Sequence, residues 1–177
     1  MEKKAIFTVD WEDYYNAVEA IEKWPFCKNL IEEPTLYLLD LLDEYNIKAI
    51  FYVLGYTRDT NIDLYEEIEA SGHVIGSHGY WHGHNEKEDG LFRSPYWDCT
   101  PLPGLCGGFF FRTLPYKILK CEINRTDMFY IHPHDIMLSH PILSNMLFNF
   151  KRHFGLKGAR EKLERLCKEI KWDDPTN

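Results

Sequence analysis

The sequence predicts an α/β fold with a parallel sheet, because strand-like and helical segments alternate through its first half. Residues 4–9, 49–54 and 73–76 are short apolar runs, as expected for three strands. Two segments with apolar residues at helical spacing lie between these runs, one beginning at Pro34 and one over residues 59–70. The order β-α-β-α-β is typical of parallel strands joined by right-handed crossovers.

Each of these elements carries local signals for its start or its end. Asp10 ends the first strand, and Pro34 suits the first turn of a helix, where its missing N–H costs nothing. The run AIFYVL at residues 49–54 is continuously apolar, as in a strand buried on both faces. Ser71 and Gly72 end the second helix. The apolar stripe of the first helix comprises Leu38, Leu39, Leu41, Leu42 and Tyr45.

The second half of the chain is less regular. Residues 83–108 are rich in proline and glycine and predict a long loop region. Residues 109–111 and 128–131 are apolar runs that predict two more strands. Residues 157–171 form an amphipathic pattern with favourable i,i+4 charge pairs, which predicts a C-terminal helix.

Length and composition bound the class of protein. The chain has 177 residues, of which 45% are hydrophobic and 27% charged, so we expect a single packed domain over residues 1–177. The formal net charge of −8 argues against a nucleic-acid partner, because an acidic surface repels phosphate backbones. No apolar run approaches the roughly 20 residues that a membrane span needs.

Cysteine usage and the N-terminus predict a cytoplasmic protein. The cysteines are odd in number, form no CxxC pair and are typical of reduced thiols. The N-terminal residues lack the apolar stretch and the cleavage site of a signal peptide. The five cysteines are Cys27, Cys99, Cys106, Cys121 and Cys167.

Polar side chains follow three of the predicted strands, at the point where each strand ends. Acidic residues at positions 10, 12 and 13 follow the first strand, His78 and His82 follow the third, and His132 follows the run 128–131. Because the carboxyl ends of parallel strands open on one face, we expect these side chains to converge in one cleft.

The residue types in this cleft predict a divalent metal site. His78 and His82 have the spacing HxxxH, which lets two imidazoles reach one ion from a helical turn or a tight loop. A carboxylate from residues 10–13 would complete a set of two histidines and one acid, which leaves positions open for water and substrate. A remaining acidic residue would act as general base and His132 as general acid.

Each motif also has a plain structural interpretation when it is taken alone. An HxxxH pair often arises by chance, and the acidic WEDYY segment is typical of a solvated turn. Arg93 alone is a typical surface cation, and His134 and His140 fit structural roles. Their joint order along the chain carries more information than any one of them.

In that order, TVDWEDYY, GSHGYWH, FRSPY, GGFFFRTLPY and YIHPHD resemble the polysaccharide deacetylase family, whose fold is the NodB homology domain. The resemblance runs over nearly the whole chain and is nearest to the branch found with exopolysaccharide and capsule synthesis genes. It implies a deformed (β/α) barrel and metal-dependent hydrolysis of N-acetyl groups on amino sugars. The expected cofactor is a divalent metal, zinc before others, and the expected partner is an N-acetylated carbohydrate.

The resemblance also implies roles for individual residues. Asp10 resembles the catalytic base, and His132 resembles the acid that protonates the leaving amine. His78 and His82 resemble the two metal-binding histidines. Arg93 resembles the arginine that orients the base.

Two further assignments come from the same motifs. Tyr96 resembles the residue whose backbone N–H helps to hold the oxyanion. The carboxylate ligand is either Glu12 or Asp13, since the pattern here is DxED where many members have two adjacent aspartates. Glu12 is preferred, because related members carry an acid at that offset.

One departure from the family concerns residues 97–106. In full-length relatives a long segment with further strands separates the FRxPY and GGFFR regions, and this short stretch replaces it. We therefore expect an incomplete barrel, with self-association through an open sheet edge as one consequence. Two other functions stay open: a non-catalytic carbohydrate-binding homologue, and a metal-dependent amidase acting on a non-sugar substrate.

Overall fold

A computed structural model describes residues 4–82, 107–142 and 146–176 of the chain. Four strands alternate with seven α-helices in these ranges, and no helix among them is long and apolar enough to cross a membrane. The elements are β1 (Ile6–Trp11), a 3₁₀ helix (Ile21–Phe26), α1 (Glu32–Glu44), β2 (Ala49–Val53), α2 (Gly55–Thr60), α3 (Ile62–Ala70), β3 (Val74–Ser77), α4 (Gly108–Thr113), α5 (Tyr116–Ile123), β4 (Met128–Ile131), a second 3₁₀ helix (Pro133–Ile136), α6 (Met146–His153) and α7 (Ala159–Glu169).

The four strands form one parallel sheet in the order β3-β2-β1-β4. The register aligns the carboxyl ends: Trp11 pairs with Val53, Val53 pairs with Ser77, and Val9 pairs with Ile131. The predicted α/β class is therefore confirmed. Within the described ranges the sheet stays open, with β3 and β4 at its two edges, as expected for an incomplete barrel.

The central strand β1 separates the core from the polar side of the sheet. Successive side chains of a strand point to opposite faces. Phe7, Val9 and Trp11 are fully buried in the main hydrophobic cluster together with residues of α1 and α7. Thr8 and Asp10 alternate with them and lie on the opposite face of the sheet. Asp10 is thus held by a strand whose other face is anchored in the core.

The prediction of a strand over residues 109–111 is wrong, because these residues lie in helix α4. A three-residue apolar run fits a buried helix as well as a strand. Gly107 forms an isolated parallel bridge to Tyr130, and Gly108 then takes a φ of +51°, which turns the chain out of the extended conformation. Phe111 is fully buried against the core, so this helix is held by packing.

Two other predicted boundaries also differ from the structure. The helix expected over residues 59–70 is two helices, α2 and α3, which meet at Asn61. Asn61 departs from helical geometry with a φ of −144°, and its side chain donates to the Thr57 carbonyl. Strand β1 extends to Trp11, so Asp10 lies inside the strand that it was expected to end. The run over residues 128–131 and the C-terminal helix are confirmed.

Candidate metal and acid–base site

Five of the side chains singled out from the sequence lie together at the carboxyl end of the sheet. Glu12 Oε2 lies 3.0 Å from His82 Nε2 and 3.7 Å from His78 Nε2. His132 Nε2 lies 3.7 Å from Asp10 Oδ2 and 3.8 Å from Glu12 Oε1. Residues separated by 120 positions in the sequence are therefore neighbours, as the strand register requires.

Glu12, His78 and His82 have the arrangement of a three-ligand metal site. One ligand atom from each lies within 4.8 Å of the others. Glu12 is completely buried, and its carboxylate faces the imidazoles of His78, His82 and His132. A buried carboxylate is costly unless a cation neutralises it. The donor set therefore fits a divalent metal, and two imidazoles with one carboxylate suit zinc.

The loop that carries the two histidines is fixed by the backbone of the neighbouring strand and helix. The His78 N–H donates to the Val53 carbonyl, and the Gly55 N–H donates to the Gly79 carbonyl. A Cβ at Gly55 would collide with the ring of Tyr80, so the loop needs glycine there. His82 has a φ of +56°, a left-handed conformation that costs energy for histidine and is typical of functional sites. The HxxxH pair thus sits on a tight loop.

The charges of the site shift the pKa values of its members in opposite directions. A hydrogen bond to Glu12 raises the pKa of His82. Burial opposes ionisation of Glu12, but that hydrogen bond and the nearby imidazoles lower its pKa. Burial raises the pKa of Asp10, although His78 and His132 act against it. Acid and base roles are commonly separated in this way, by environments that push pKa values apart.

His132 is held by Asp135, a residue to which the sequence reasoning gave no role. His132 Nδ1 lies 3.0 Å from Asp135 Oδ2, and the same oxygen accepts the His132 backbone N–H at 2.9 Å. Burial alone would lower the pKa of His132, but Asp135, Asp10 and Glu12 raise it to about 9. The ring also stacks on His134, with 4.5 Å between the ring centroids. The signal in the sequence was the acid three residues after His132 in the motif HPHD.

Asp13, the alternative carboxylate ligand, lies outside the group formed by Glu12, His78 and His82. Its Oδ1 accepts the Tyr14 N–H at 2.7 Å, and its Oδ2 accepts the Leu30 N–H at 2.9 Å. Both carboxylate oxygens therefore bind backbone N–H groups and hold the loop after β1 against the segment before α1. Burial raises the pKa of Asp13 to about 6.

The raised pKa of Asp13 predicts a pH dependence of stability that Asp13→Asn removes. An ordinary aspartate ionises near 3.8, so ionisation favours the unfolded chain between that pH and about 6. The contribution of Asp13 to stability is present below pH 4 and is lost as the pH rises through 6. One pKa unit corresponds to about 1.4 kcal/mol. As the pH rises across this range, the free energy of unfolding of Asp13→Asn should therefore increase relative to that of wild type by up to about 3 kcal/mol.

Urea unfolding of the metal-free proteins at several values between pH 4 and pH 7 measures this difference. Other ionisable groups cancel in the comparison, because only position 13 differs. A constant difference between the two proteins at every pH would contradict the raised pKa.

Two of the predicted site residues, Arg93 and Tyr96, lie outside the described residues. The short junction over residues 97–106 also lies outside them. The roles that the family resemblance implies for Arg93 and Tyr96 therefore stay predictions.

Comparison with known families accounts for nearly the whole chain in two consecutive matches. Residues 24–96 match the family model "Polysaccharide deacetylase". Residues 99–177 match the model "Domain of unknown function (DUF3473)". His78 and His82 fall in the first match, His132 and Asp135 fall in the second, and Asp10 precedes both. The single domain predicted over residues 1–177 stays a prediction, since the two matches meet within the short junction.

A relative is similar to part of the chain, and a solved structure aligns with nearly all of it. A peptidoglycan-N-acetylglucosamine deacetylase of Bacillus cereus is 40% identical over 50 residues, which are 28% of this chain and 18% of the relative. The chain therefore spans less than a fifth of the length of that relative. The solved structure is a crystal structure of a peptidoglycan N-acetylglucosamine deacetylase in complex with 4-naphthalen-1-yl-N-oxidanyl-benzamide. The alignment covers 99% of this chain and 88% of the chain in that structure, at 14% identity and a TM-score of 0.47.

Residues 24–96 are thus similar to the polysaccharide deacetylases, a family of hydrolases that act on carbon–nitrogen bonds. The resemblance that the motifs of this segment carry is confirmed over these residues. The association with exopolysaccharide and capsule synthesis stays a prediction.

Proposed function

We propose that the chain is a zinc-dependent deacetylase that hydrolyses N-acetyl groups of amino sugars in a poly- or oligosaccharide. The observation that carries the proposal is the convergence of a three-ligand group with a separate carboxylate and imidazole. Glu12, His78 and His82 form the group. His132 Nε2 lies 3.8 Å from Glu12 Oε1 and 3.7 Å from Asp10 Oδ2. Hydrolysis of an amide needs a base for water and an acid for the amine.

Glu12, His78 and His82 would hold the metal ion, and Asp13 would keep its structural role. Zinc, when bound, would polarise the acetamide carbonyl and acidify water in the site. Asp10 lies beside the ligand group without being part of it, so its carboxylate is free to take a proton from the attacking water. The family resemblance supports this division of roles.

His132 would protonate the leaving nitrogen. Its raised pKa keeps the imidazole protonated at neutral pH, and Asp135 holds Nδ1 so that Nε2 faces the site. An amine is a poor leaving group until it gains a proton, so an acid at this position is required for amide cleavage. By resemblance, the backbone N–H of Tyr96 would assist at the oxyanion and Arg93 would orient Asp10.

An aromatic cluster beside the ligand loop supports a sugar as the substrate. Trp81, which precedes His82, is partly exposed and packs against Tyr80, Tyr56 and Trp24 at centroid distances of 4.7, 5.7 and 5.8 Å. Rigid, partly exposed aromatic rings beside polar groups are typical of sites that bind small molecules through their apolar faces. A pyranose ring offers such a face.

Acetate release from N-acetylated chitooligosaccharides by the zinc-loaded protein tests the proposal. We expect release that stops when a chelator removes the metal and returns when zinc is added. Glu12→Gln should abolish it, because it neutralises the only carboxylate of the ligand group. Absence of release with the oligosaccharides, while simple non-sugar amides are cleaved, would instead support an amidase.

A non-catalytic carbohydrate-binding homologue is the second candidate, favoured by the open sheet among the described residues. Such a protein would bind the same oligosaccharides without releasing acetate. Isothermal titration calorimetry alongside the acetate assay distinguishes the two functions. Binding with no detectable turnover in the zinc-loaded protein would favour this candidate over the enzyme.

His132→Ala is expected to slow cleavage of an amide far more than cleavage of an activated ester. General acid catalysis contributes about 10²–10⁴-fold when the leaving group needs a proton, and little when it leaves as a stable anion. The comparison of kcat/KM for an N-acetyl sugar and for an aryl acetate measures this difference. Equal losses on both substrates would indicate a structural role for His132.

A further inference from the structure

We propose that Arg112 is a positioning residue for the general acid, because it holds Asp135 in the orientation that binds His132 Nδ1. The proposal rests on the proposed function in that it assigns His132 the role of acid. Neither the family resemblance nor the comparisons give Arg112 a role. The motif GGFFFRTLPY contains it, and helix α4 places it behind the site.

Asp135 lies between a histidine on one side and an arginine on the other. Its Oδ2 lies 3.0 Å from His132 Nδ1, and its Oδ1 forms an ion pair with Arg112 Nε at 3.1 Å. The side chains of Arg112 and Asp135 are only 3% and 1% exposed, so water cannot replace either partner. The orientation of the carboxylate is therefore set by these two partners.

The other end of the guanidinium is fixed at the C-terminus of helix α6. Arg112 Nη2 donates to the Lys151 carbonyl at 3.0 Å, and Nη1 donates to the carbonyls of Arg152 and Phe154, the latter at 3.1 Å. The last carbonyls of a helix have no partner within the helix and carry its partial negative charge. A planar guanidinium can satisfy them and a carboxylate at once, which a lysine cannot do.

The backbone of Arg112 is held as well. Lys162 Nζ donates to the Arg112 carbonyl at 2.8 Å and to the carbonyls of Phe111 and Leu114. Gly155, with a φ of +79°, packs so closely on Arg112 that a Cβ would lie 2.9 Å from its carbonyl oxygen. The position of the Arg112 guanidinium is therefore fixed. A continuous series of contacts links α6 through Arg112 and Asp135 to His132.

Asp135 determines which ring nitrogen of His132 carries a proton in a fixed position. With Asp135 accepting from Nδ1, Nε2 is the nitrogen that faces Asp10 and Glu12. Loss of the arginine would let the carboxylate rotate, and the ring of His132 would lose its fixed orientation. A purely structural arginine would stabilise the fold without affecting this proton.

Proton NMR of the zinc-loaded protein tests this link without any need for turnover. A buried imidazole N–H bound to a carboxylate gives a downfield resonance that exchanges slowly, and ¹⁵N-histidine labelling with the His132→Ala spectrum assigns it. We expect the His132 Nδ1 proton in wild type, its loss in Arg112→Gln and a weakened, faster-exchanging signal in Arg112→Lys. Arg160→Met is the matched control.

Arg160 donates to the carbonyl of Ile136, the residue after Asp135, and pairs with Glu33. It therefore supports the same 3₁₀ helix without touching Asp135. We expect Arg160→Met to keep the His132 proton. If Arg112→Gln fails to fold, Arg112→Lys decides: a resonance identical to wild type in the lysine variant overturns the proposal, as does an unchanged resonance in a folded glutamine variant.

Kinetics provide a second test, because a purely structural role of Arg112 would not change the relative activity on the two substrates. If Arg112 acts through His132, Arg112→Gln should lower kcat/KM for an N-acetyl sugar at least about tenfold more than for an aryl acetate. It should cause no further loss in a His132→Ala background. Losses of equal size on both substrates, or additive losses in the double variant, overturn the proposal. If wild type releases no acetate, the proposed function fails, and the NMR result still judges the role of Arg112.

Discussion

The double variant His78→Ala with His82→Ala is expected to bind no divalent metal ion under conditions where wild type binds about one per chain. These side chains provide two of the three atoms that lie within 4.8 Å of one another, and the third is the buried carboxylate of Glu12. Loss of a residue that merely orients a ligand typically costs about 10–100-fold in affinity. Loss of two direct ligands should therefore exceed that range. Elemental analysis and zinc titration of the purified proteins measure it.

Two control variants make this result specific. His153→Ala removes an exposed histidine of α6, and it should bind zinc as wild type does. Asp13→Asn changes the acid next to Glu12 but keeps the three-ligand group intact, so it should also retain zinc. Unchanged stoichiometry in the double histidine variant would exclude this site. Loss of zinc in Asp13→Asn would make Asp13 the ligand in place of Glu12.

The parallel sheet and the convergence of its polar residues could be predicted from the sequence, because both depend on simple periodicities. The run at residues 49–54 is apolar at every position, and strand β2 is buried at every position. Once three strands are parallel, the residues after each strand must share one edge. Asp10, His78 and His132 were therefore expected together, and they are brought together.

The choice between the two acidic neighbours could not be made from spacing alone. Glu12 and Asp13 are adjacent, and the direction of each carboxylate depends on how the backbone turns after β1. The Glu12 N–H donates to the Asp10 carbonyl at 3.0 Å, and the Asp13 N–H is capped by Asn16 Oδ1 at 2.7 Å. These local hydrogen bonds direct Glu12 into the site and Asp13 toward Leu30.

Helix α4 and the Arg112–Asp135 pair were missed for a related physical reason. The three phenylalanines of α4 fit a strand or a buried helix equally well, and only the turn at Gly107 and Gly108 decides between them. Arg112 and Asp135 lie 23 positions apart, and their pairing depends on where α4 packs. Tertiary packing, which one sequence does not reveal, therefore controls the support of the acid.

Asp10→Asn is expected to keep the metal and to remove hydrolysis, with a loss of about 10²–10⁴-fold in kcat. Asp10 lies outside the ligand group, and its Oδ2 lies 3.7 Å from His132 Nε2. Asparagine has nearly the same shape but cannot accept a proton from water, so the change removes the base and keeps its volume. The negative charge beside His132 is also lost, which removes one of the interactions that raise the pKa of that imidazole.

Zinc stoichiometry and acetate release measured on the same preparation separate the possible outcomes. Full zinc content with lost turnover supports Asp10 as the base, since binding of the ion and activation of water are then carried by different carboxylates. Loss of zinc would make Asp10 a ligand, and the roles of Asp10 and Glu12 would have to be exchanged. Glu12→Gln is the matched acid-to-amide control, and we expect the opposite pattern from it: loss of zinc first, and loss of turnover as the consequence.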